Sequence, residues 1–483
     1  MTQSQELDLI SYMKTLSYYQ LILGCQMNRS DAERIASFLD TLGLEKTDKE
    51  EEANLIAVQA CSVRQSAIDR IHSRIHKWRN IQKERTADHP LVTFLTGCVL
   101  PDDRKIFTKQ FDLFLETDDV TARLSGELER LLPQLIKNSA HVSEERKTIK
   151  EGDVTSDDFF ALKPNYSSSF QAYVPIQAGC NNFCTFCAVP YTKGRERYRP
   201  NKDIVHEVEH LVDRGYKEIT LLGQNVNTYF DPTLKDAIGK RTIYRQWNAL
   251  TDFPRLLRLV NNISGDFWLR FITSNPWDMS DETIKAVAEC EKICEYIHLP
   301  LQSGSDKILK AMNRHHTQKH YLELTHKIRA AIPGVSITTD VIVGFPGETE
   351  DDFMETVRVM EIVGYDMAYL ARYSPRPGTI ADRYFKDDVP REEKKRREKY
   401  LEDILKKSAA KRNQEYVGRE VGVLVEEVKP SRHSEVPGRF IYGKTRTSKT
   451  VEIQSKTDDN LVGRVISVKI TEAREFGLEG LVC

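Results

Sequence analysis

The sequence predicts an α/β protein in three parts: an N-terminal α/β domain with a parallel sheet, a central partial (βα)6 barrel and a small C-terminal β-barrel. Three observations predict this fold. Apolar strand-like runs alternate with helical lengths near the N-terminus, the same alternation restarts at Phe170 and repeats six times, and beyond residue 415 short strands alternate with Gly, Ser and Asp turns. A chain of 483 residues has the length of about three domains.

The N-terminal domain is predicted over residues 16–137. Its expected elements, in chain order, are the strand Tyr18–Leu23, a helix from about Ser30 to Leu42, the strand Leu55–Val58, a helix over Ser66–Lys83, and the strands Leu91–Thr96 and Asp112–Glu116. Strands separated by helical lengths need crossover connections, which indicates a parallel sheet. Residues 138–168 are polar with few apolar side chains and are predicted to be a linker.

The central barrel is predicted over residues 169–390 and is two units short of an eight-stranded barrel. Its expected strands are Phe170–Ile176, Glu218–Leu222, Trp268–Thr273, Tyr296–Leu301, Ser336–Val343 and Met367–Tyr373, with helices such as Asp203–Val212, Glu282–Glu295 and Asp351–Ile362 between them. Cys290 and Cys294 fall on one face of the second of these helices, where we expect core packing.

A charged helix is predicted over residues 391–414, followed by the small β-barrel over 415–483. The expected strands of this barrel are Val421–Val425, Phe440–Tyr442, Thr450–Ile453 and Val465–Ile470. The excess of Lys and Arg on the helix favours RNA contact, although by itself it is more typical of a solvated charged face.

The composition excludes several classes of function. A net charge of −2 gives no overall nucleic-acid signature, so any RNA contact must come from a local patch. The sequence contains no signal peptide and no apolar run of membrane-spanning length, so we expect a cytoplasmic protein without a membrane contact. Nine cysteines in such a chain favour metal or redox use over disulfides.

Three cysteines lie close together at Cys180, Cys184 and Cys187. The C-x-x-x-C-x-x-C spacing lets three thiolates bind three corners of a 4Fe–4S cube and leaves the fourth iron without a protein ligand. The alternatives are three inert buried cysteines or a partial zinc site. Zinc sites usually have four Cys or His ligands, and no partner pair lies nearby. The spacing therefore predicts a cluster that coordinates a further molecule.

A second set, Cys25, Cys61 and Cys98, is widely spaced, but each cysteine directly follows a predicted strand. The carboxyl ends of parallel strands lie at one edge of a sheet, so we expect these three residues to converge. Gly24 and Gly97 precede two of them and allow close backbone approach. Any one of these cysteines alone is more typical of core packing, but their shared position predicts a second three-thiolate 4Fe–4S site.

Seven further segments between Tyr18 and the C-terminus have a recognisable pattern: Gly24-Cys25-Gln26-Met27-Asn28 with Asp31 and Glu33, Cys61-Ser62-Val63-Arg64, Gly97-Cys98-Val99, Val189-Pro190-Tyr191-Thr192-Lys193-Gly194-Arg195, Leu222-Gly223-Gln224-Asn225-Val226-Asn227, Leu299-Pro300-Leu301-Gln302-Ser303-Gly304-Ser305 and Tyr373-Ser374-Pro375-Arg376-Pro377-Gly378-Thr379. In these segments the chain resembles the radical S-adenosylmethionine (SAM) methylthiotransferases, of the MiaB type, from about Tyr18 to the C-terminus. The central region is thus similar to a partial radical SAM barrel, and the terminal β region resembles a TRAM domain, an RNA-binding barrel.

The resemblance implies an activity with two 4Fe–4S clusters and two SAM molecules. One SAM binds the open iron of the first cluster and yields a radical, the second cluster holds the sulfur, and the other SAM donates the methyl group. The product carries a methylthio group at C2 of an isopentenylated adenosine beside the tRNA anticodon. Partners implied are the tRNA anticodon loop, an electron donor such as flavodoxin or ferredoxin, and a sulfur donor; a monomer is the default.

Further site residues follow from position. The candidates for SAM binding are Phe186, Gln224, Asn225, Gln302, Ser303 and Asp340. Phe186 is equally well explained as an apolar loop anchor, and the polar candidates as ordinary turn residues. The candidates for RNA binding are Lys193, Arg195, Arg197 and Arg199, next to the first cysteine set, and Arg439, Phe440, Tyr442 and Arg446 in the terminal barrel.

Some residues depart from the family pattern and leave alternatives open. Gln59 and Ala60 stand before the second cysteine where Asn-Thr is usual, Leu100 and Pro101 replace Ala-Gln, and Asn275 stands where His is common. The first four put sulfur-transfer efficiency or substrate choice in question. The alternatives are methylthiolation of a differently modified tRNA adenosine or of a ribosomal protein side chain. A two-cluster electron carrier or an RNA-binding adaptor explains the incomplete ligand sets less well.

Overall fold

The computed structural model describes residues 16–63, 65–86, 89–133, 158–234, 252–430, 439–455 and 461–483. These residues form two compact units. The first, here the N-terminal unit, contains the residues up to Ser167 together with the segment Tyr191–Lys193. The second, here the barrel unit, contains Ser168–Pro190 and Gly194–Cys483. Most of the predicted linker lies outside the described residues.

The N-terminal unit contains a five-stranded parallel sheet of order β2-β1-β3-β4-β5. Its strands are β1 (Ser17–Ile22), β2 (Glu45–Lys46), β3 (Leu55–Cys61), β4 (Val92–Cys98) and β5 (Leu113–Phe114), and its helices are α1 (Gln26–Thr41), α2 (Gln65–Glu84), α3 (Pro101–Phe107), α4 (Val120–Leu131) and α5 (Asp158–Ala161). The parallel sheet confirms the predicted fold of this region. β2, however, is a short strand that the sequence did not predict.

Successive residues of the central strand β3 pack on opposite sides of the sheet. Ala57 joins a core that contains Ile35 and Leu39 of α1, whereas Val58 joins a core that contains Ile71 of α2. Both faces of a parallel sheet are usually covered in this way, which is why β3 and β4 are buried along their whole length and are mostly apolar. The unit therefore has three layers, with the sheet between two layers of helices.

The first part of the barrel unit contains six parallel strands in two three-stranded sheets, β6-β9-β10 and β11-β12-β13. The elements up to residue 414 are β6 (Gln171–Pro175), β7 (Gln177–Ala178), α6 (Val189–Thr192), β8 (Arg197–Tyr198), α7 (Asn201–Asp213), β9 (Glu218–Leu222), α8 (Phe253–Asn261), β10 (Trp268–Ile272), α9 (Asp281–Glu289), β11 (Tyr296–His298), α10 (Asp306–Ala311), α11 (Gln318–Ala331), β12 (Ser336–Val343), α12 (Glu350–Val363), β13 (Met367–Arg372), α13 (Ile380–Tyr384) and α14 (Arg391–Gln414). A β-bridge between Leu269 and Ile293 links the strand β10 to the segment that leads into β11. The predicted six βα units are therefore confirmed.

One predicted helix was too long. α9 ends at Glu289, and Cys290 already has an extended conformation with φ −90° and ψ 108°. The chain straightens there because the main chain of Leu269 pairs on both sides, accepting from Cys294 N (2.9 Å) and donating to Lys292 O (2.7 Å). Cys290 and Cys294 are thus not in a helix, although both are buried as expected.

The last part of the barrel unit is a closed five-stranded barrel of order β14-β15-β16-β18-β17. Its strands are β14 (Glu420–Pro430), β15 (Arg439–Thr445), β16 (Thr450–Ser455), β17 (Val465–Arg474) and β18 (Gly477–Val482). The predicted small β-barrel is confirmed. β18 was missed in the sequence because its Gly-Leu-Glu-Gly start lacks β-branched residues.

This small barrel packs on the amino-terminal ends of the first sheet. Arg270 pairs with Glu218, the first residue of β9, at 2.6 Å, and also donates to the carbonyl oxygens of Thr445 (2.9 Å) and Arg446 (2.6 Å). Arg446 in turn pairs with Glu295 at 2.8 Å. These contacts of the small barrel therefore lie at the amino-terminal ends of the strands and not at the edge that carries their carboxyl ends. Among the described residues, no helix is long and apolar enough to cross a membrane.

Candidate functional site

The three distant cysteines of the N-terminal unit are brought together by the sheet. Cys61 and Cys98 are the last residues of β3 and β4 and are register partners across the two strands. Cys25 is the residue before α1, just beyond the end of β1. The predicted convergence at the carboxyl edge is thus present, with the difference that two of the cysteines lie within longer strands rather than after them. We call this set the sheet-edge triad.

Asn28 holds the backbone of the sheet-edge triad together. Its side-chain amide donates to Leu23 O (2.8 Å) and Ala60 O (2.7 Å), at the ends of β1 and β3. Its Oδ1 lies 3.4 Å from Cys98 Sγ and 3.9 Å from Cys25 Sγ. The sequence motif contained Asn28, but its spacing gave no sign of this role.

The strands approach so closely here that one position requires glycine. Gly97 has φ +109°, and a Cβ built on it would lie 2.5 Å from the carbonyl oxygen of Ala60. Both the left-handed backbone and the lack of space exclude a side chain. Cys98 can therefore stand directly beside Cys61 across the sheet.

A buried ion pair lies beside the sheet-edge triad. Lys193 Nζ lies 2.5 Å from Asp31 Oδ2, and the two side chains are only 7% and 4% exposed. Burial alone would lower the pKa of Lys193, but the charge of Asp31 and the hydrogen bond to its carboxylate outweigh it and raise that pKa. Lys193 therefore keeps its positive charge. Burial raises the pKa of Cys98 to about 12, so this thiol stays protonated at neutral pH unless a cationic ligand binds it.

The four residues that depart from the family pattern have structural roles around this triad. Gln59 donates from Nε2 to Asp31 at 3.5 Å, and Ala60 supplies the carbonyl that Asn28 contacts. Leu100 and Pro101 begin α3, where proline is well tolerated at the first helical position.

The second cysteine set lies on a loop of the barrel unit between β7 and α6, after the end of β6. We call Cys180, Cys184 and Cys187 the loop triad. Main-chain bonds fix both ends of the loop, from Cys180 N to Gly194 O (3.2 Å) and from Thr185 N to Met312 O (3.0 Å). Cys187 N closes the last turn on Cys184 O at 3.0 Å. The thiols are therefore held at the carboxyl edge of the barrel strands, where barrel enzymes bind their ligands.

Arg314 places a positive charge beside the loop triad. Its Nη1 lies 3.5 Å from Cys184 Sγ, and its Nη2 donates to Pro300 O (3.0 Å) and Asn275 Oδ1 (3.3 Å). Burial raises the pKa of Cys187 to about 12, a rise to which Cys184 adds and which Arg314 opposes. Asn275, which stands where the family commonly has His, thus fixes the guanidinium that faces Cys184.

Each triad consists of three cysteine thiols, and cysteine thiolates are the usual ligands of a 4Fe–4S cluster. In the described part of the chain, no three Cys, His, Asp or Glu side chains are arranged to bind one metal ion. In a 4Fe–4S cluster each thiolate binds a different iron, so the ligands stand apart around the cube. All nine cysteines are free thiols, as thiolate ligands must be.

Comparison with known proteins agrees with this reading of the chain. Three family models match, described as the Uncharacterized protein family UPF0004 (residues 17–115), the Radical SAM superfamily (174–360) and the TRAM domain (414–482). A protein of Clostridium perfringens named tRNA-2-methylthio-N(6)-dimethylallyladenosine synthase is 39% identical over 95% of this chain and 95% of its own length. A protein of the same name from Syntrophomonas wolfei is 40% identical over 97% and 98%.

The chain belongs to the radical SAM methylthiotransferase family, of the MiaB type. It is therefore an enzyme of this class, and its radical SAM domain implies SAM and a 4Fe–4S cluster. Among solved structures, the cobalamin-dependent SAM radical enzyme OxsB matches with a TM-score of 0.45 and 11% identity over 82% of this chain and 57% of that chain.

Two of the predicted SAM contacts of this methylthiotransferase support the cysteine loop. Gln224 Oε1 accepts from Gly179 N at 2.7 Å, directly before Cys180. Asn225 is buried and donates to Asp278 Oδ2 at 2.7 Å, and Asp278 is in turn hydrogen-bonded to Asn182 within the cysteine loop. The Gly-Gln-Asn turn thus positions the loop triad, and a direct contact with SAM stays a prediction.

The other predicted SAM contacts differ in their surroundings. Ser303 is completely buried and its hydroxyl lies 3.4 Å from that of Thr356, and its contact with SAM stays a prediction. Phe186 packs beside a core that contains Phe345 and Tyr373, which is the alternative of an apolar loop anchor. Gln302 has a positive φ of +71°, and its backbone pairs with β12.

Asp340 remains partly exposed and pairs with His298, a residue that the sequence reasoning missed. A polar residue at the end of a barrel strand, directly before the Leu299–Ser305 segment, was the available signal.

The predicted RNA contacts also divide. The side chains of Lys193 and Arg199 are buried, with Lys193 paired to Asp31 and Arg199 paired to Glu207 at 2.7 Å, and a phosphate contact for these two stays a prediction. Buried charges in proteins are usually paired in this way, and a basic run in a sequence does not reveal it.

The remaining RNA candidates stay predictions. Arg195 is exposed and stacks over Phe183 at 4.3 Å. Arg446 is held by Glu295, whereas Arg439 is exposed and Phe440 and Tyr442 are half-buried on β15; Arg197 is half-buried on β8.

Proposed function

We propose that this protein adds a methylthio group to C2 of an isopentenylated adenosine beside the anticodon of tRNA, with two 4Fe–4S clusters and two SAM molecules. The observation that carries the proposal is the presence of two separate cysteine triads, each with a buried or half-buried cation next to it, Lys193 and Arg314. Two sets of three thiolates leave two irons open, as a two-cluster transferase requires. The name shared by the relatives supplies the substrate.

In this proposal the loop triad holds the cluster that binds SAM. When bound there, SAM supplies a carbon radical that activates the C–H bond of the adenine. The protein holds the loop rigid through Gln224, Asn225 and Thr185, and Arg314 balances the negative charge of the thiolates.

The sheet-edge triad holds the second cluster, whose role is to carry sulfur. Asn28 fixes the ends of the strands that bear its ligands, and the buried Lys193 offsets thiolate charge beside Cys98. Both roles are those of residues that surround metal ligands and orient them.

The anticodon loop is proposed to bind through local positive charge and half-buried aromatic rings. Arg195 and Arg197 lie just after the loop triad, and Arg439, Phe440 and Tyr442 lie on the terminal barrel. Arginine side chains hold phosphates, and aromatic rings stack on unpaired bases. An electron donor such as flavodoxin or ferredoxin and a separate sulfur donor complete the proposal, with a cytoplasmic monomer as the working form. The domain limits proposed are 16–137, 169–390 and 415–483, with 138–168 and 391–414 as connections.

The test is an anaerobic assay of the iron-loaded full chain with SAM, a reductant and isopentenylated tRNA, with digested nucleosides read by mass spectrometry. A methylthio-isopentenyladenosine product is expected. Cleavage of SAM without a change in this tRNA would overturn the substrate. The differently modified tRNA adenosine and the ribosomal protein side chain would then be tested in the same assay.

A further inference from the structure

Three neighbouring strands of the barrel unit carry polar groups on one face, away from both cysteine triads in sequence. His298 on β11 is the register partner of Thr338 on β12, and Asp340 on β12 is the partner of Tyr369 on β13. The alternate residues of β12, such as Thr339 and Val341, are fully buried on the other face. Successive residues of a strand face opposite sides of the sheet, and residues two apart or directly paired across strands share one side. His298, Asp340 and Tyr369 therefore lie on the same face of the sheet.

Hydrogen bonds fix the orientation of this group. The ring nitrogens of His298 lie 2.9 Å from Thr338 Oγ1 and 3.1 Å from Asp340 Oδ2. Thr338 Oγ1 also donates to Tyr296 OH at 3.1 Å, so the histidine is held from both sides. Asp340 uses Oδ2 for this contact, while the described residues offer no hydrogen bond to its Oδ1, and its side chain is 39% exposed.

Tyr369 provides a flat surface next to that carboxylate. Its side chain is 57% exposed, and its ring lies 5.9 Å from the ring of His298, at 66°. β13 is the edge strand of its sheet, so a base attached to a large molecule can reach this ring from the side. A scattered surface tyrosine needs no special explanation. An exposed ring beside a carboxylate that has a fixed orientation and an available oxygen, by contrast, is typical of a binding site.

We propose that Asp340 and Tyr369 form the subsite for the target adenine, with Tyr369 stacking on the base and Asp340 Oδ1 accepting a hydrogen bond from its exocyclic N–H. His298 is a positioning residue that holds the carboxylate. The inference rests on the proposed function and deepens it by assigning the base-binding residues. The chemistry matches the ligand, because stacking on an aromatic ring suits any base and a carboxylate acceptor selects a base with an exocyclic N–H.

The test uses the full-length, iron-loaded protein and a fluorescent anticodon stem–loop RNA with isopentenyladenosine at the target position. Equilibrium binding gives the Kd. Tyr369→Leu is expected to raise the Kd for RNA by about tenfold or more, as loss of one base–aromatic stack does. Tyr369→Phe keeps the ring and should restore binding. Tyr384→Leu is the matched control, because Tyr384 is also strongly exposed but lies on α13.

A second RNA, with purine in place of the target adenine, tests the carboxylate. The wild type should bind the adenine-containing RNA more tightly than the purine RNA, and Asp340→Ala should abolish that preference. His298→Asn should reduce the preference while leaving the Kd for the purine RNA in place. A merely structural role of His298 would weaken both RNAs equally.

Three results would overturn the inference. The Kd for RNA could be unchanged in Tyr369→Leu, or it could rise by the same factor in Tyr384→Leu. Alternatively, Tyr369→Leu could change the Kd for SAM and leave the Kd for RNA unchanged. The last result would assign the subsite to the adenine of SAM. Turnover of the same RNA by the wild type is followed separately. Absence of a methylthio product would defeat the proposed function, whereas the binding series alone decides the subsite.

Discussion

The two cysteine triads are built in different ways. The sheet-edge triad takes one residue from each of three distant segments, and its geometry depends on the pairing of β3 with β4 and on Asn28. The loop triad comes from a single short segment, and its geometry depends on bonds from that loop to Gly194 and Met312. The first site therefore exists only when the sheet has folded, whereas the second has its ligand spacing in the sequence and needs the fold only to hold the loop.

The largest expected effect comes from removing one cysteine of either triad. We expect Cys184→Ala and Cys61→Ala each to lose about four irons per chain and all methylthio product, because each triad holds one cluster in the proposed function. Only Cys184→Ala should also lose SAM cleavage. Iron analysis and assays of SAM cleavage and product on both variants would check this division.

A matched control is Cys294→Ala, since Cys294 is buried outside both triads and should keep iron and both activities. Loss of SAM cleavage in Cys61→Ala would show that the two sites are not separate in function.

The cation of the sheet-edge triad gives the next effect. Lys193→Met leaves the carboxylate of Asp31 buried without its partner, and breaking a buried pair in this way costs about 3–5 kcal/mol. The free energy of unfolding, measured by chemical denaturation of the full chain, should fall accordingly in the transition that includes the N-terminal unit.

The double variant Lys193→Met, Asp31→Leu is the control, because replacing both partners by apolar groups is often neutral. If the double variant is as unstable as the single one, the loss does not come from the unpaired carboxylate.

Backbone space at the sheet edge gives a smaller effect. Gly97→Ala should destabilise the N-terminal unit by about 2–4 kcal/mol, from an unfavourable positive φ and a contact with Ala60 O. Gly43 also has a positive φ, of +82°, but has nothing within 4 Å of a built Cβ.

Gly43→Ala should therefore cost only about 1–2 kcal/mol, the strain of the left-handed backbone. Hydrogen exchange of β3 and β4 in the two variants separates the terms. If the amides of β3 and β4 are equally protected from exchange in Gly97→Ala and Gly43→Ala, the sheet accommodates the added methyl group at position 97 without loss of stability.

The parts of these sites that follow from local pattern could be predicted, and the parts that depend on tertiary contact could not. The loop triad is readable from spacing, and the sheet-edge triad from cysteines that follow strands. The bounds of β9, β12 and α14 also agree with prediction, because each has a strong apolar or charged pattern of its own.

By contrast, the burial of Lys193 against Asp31 could not be predicted, because a sequence cannot show that these two residues lie next to each other in the fold. Likewise, α9 ends earlier than predicted because Ile293 forms a β-bridge with Leu269 of β10. No local sequence signal marks the end of the helix.

The smallest expected effect on stability comes from replacing Arg314, the cation beside the loop triad. Arg314→Met removes the cation beside Cys184 together with the bonds to Pro300 O and Asn275 Oδ1, and should lower stability by only about 1–2 kcal/mol, since each bond is of modest net strength. Its main effect is electrostatic, because loss of a positive charge makes reduction of a nearby cluster harder. In a redox titration followed by electron paramagnetic resonance, the cluster of the loop triad should move to a lower potential. The double variant Lys193→Met, Asp31→Leu removes both charges of the buried pair. If Lys193 also stabilises the thiolates, the reduction potential of the cluster at the sheet-edge triad should fall in this variant as well. If the potential of neither cluster changes, the two cations contribute to folding alone, and the two triads differ in architecture but not in how their charge is balanced.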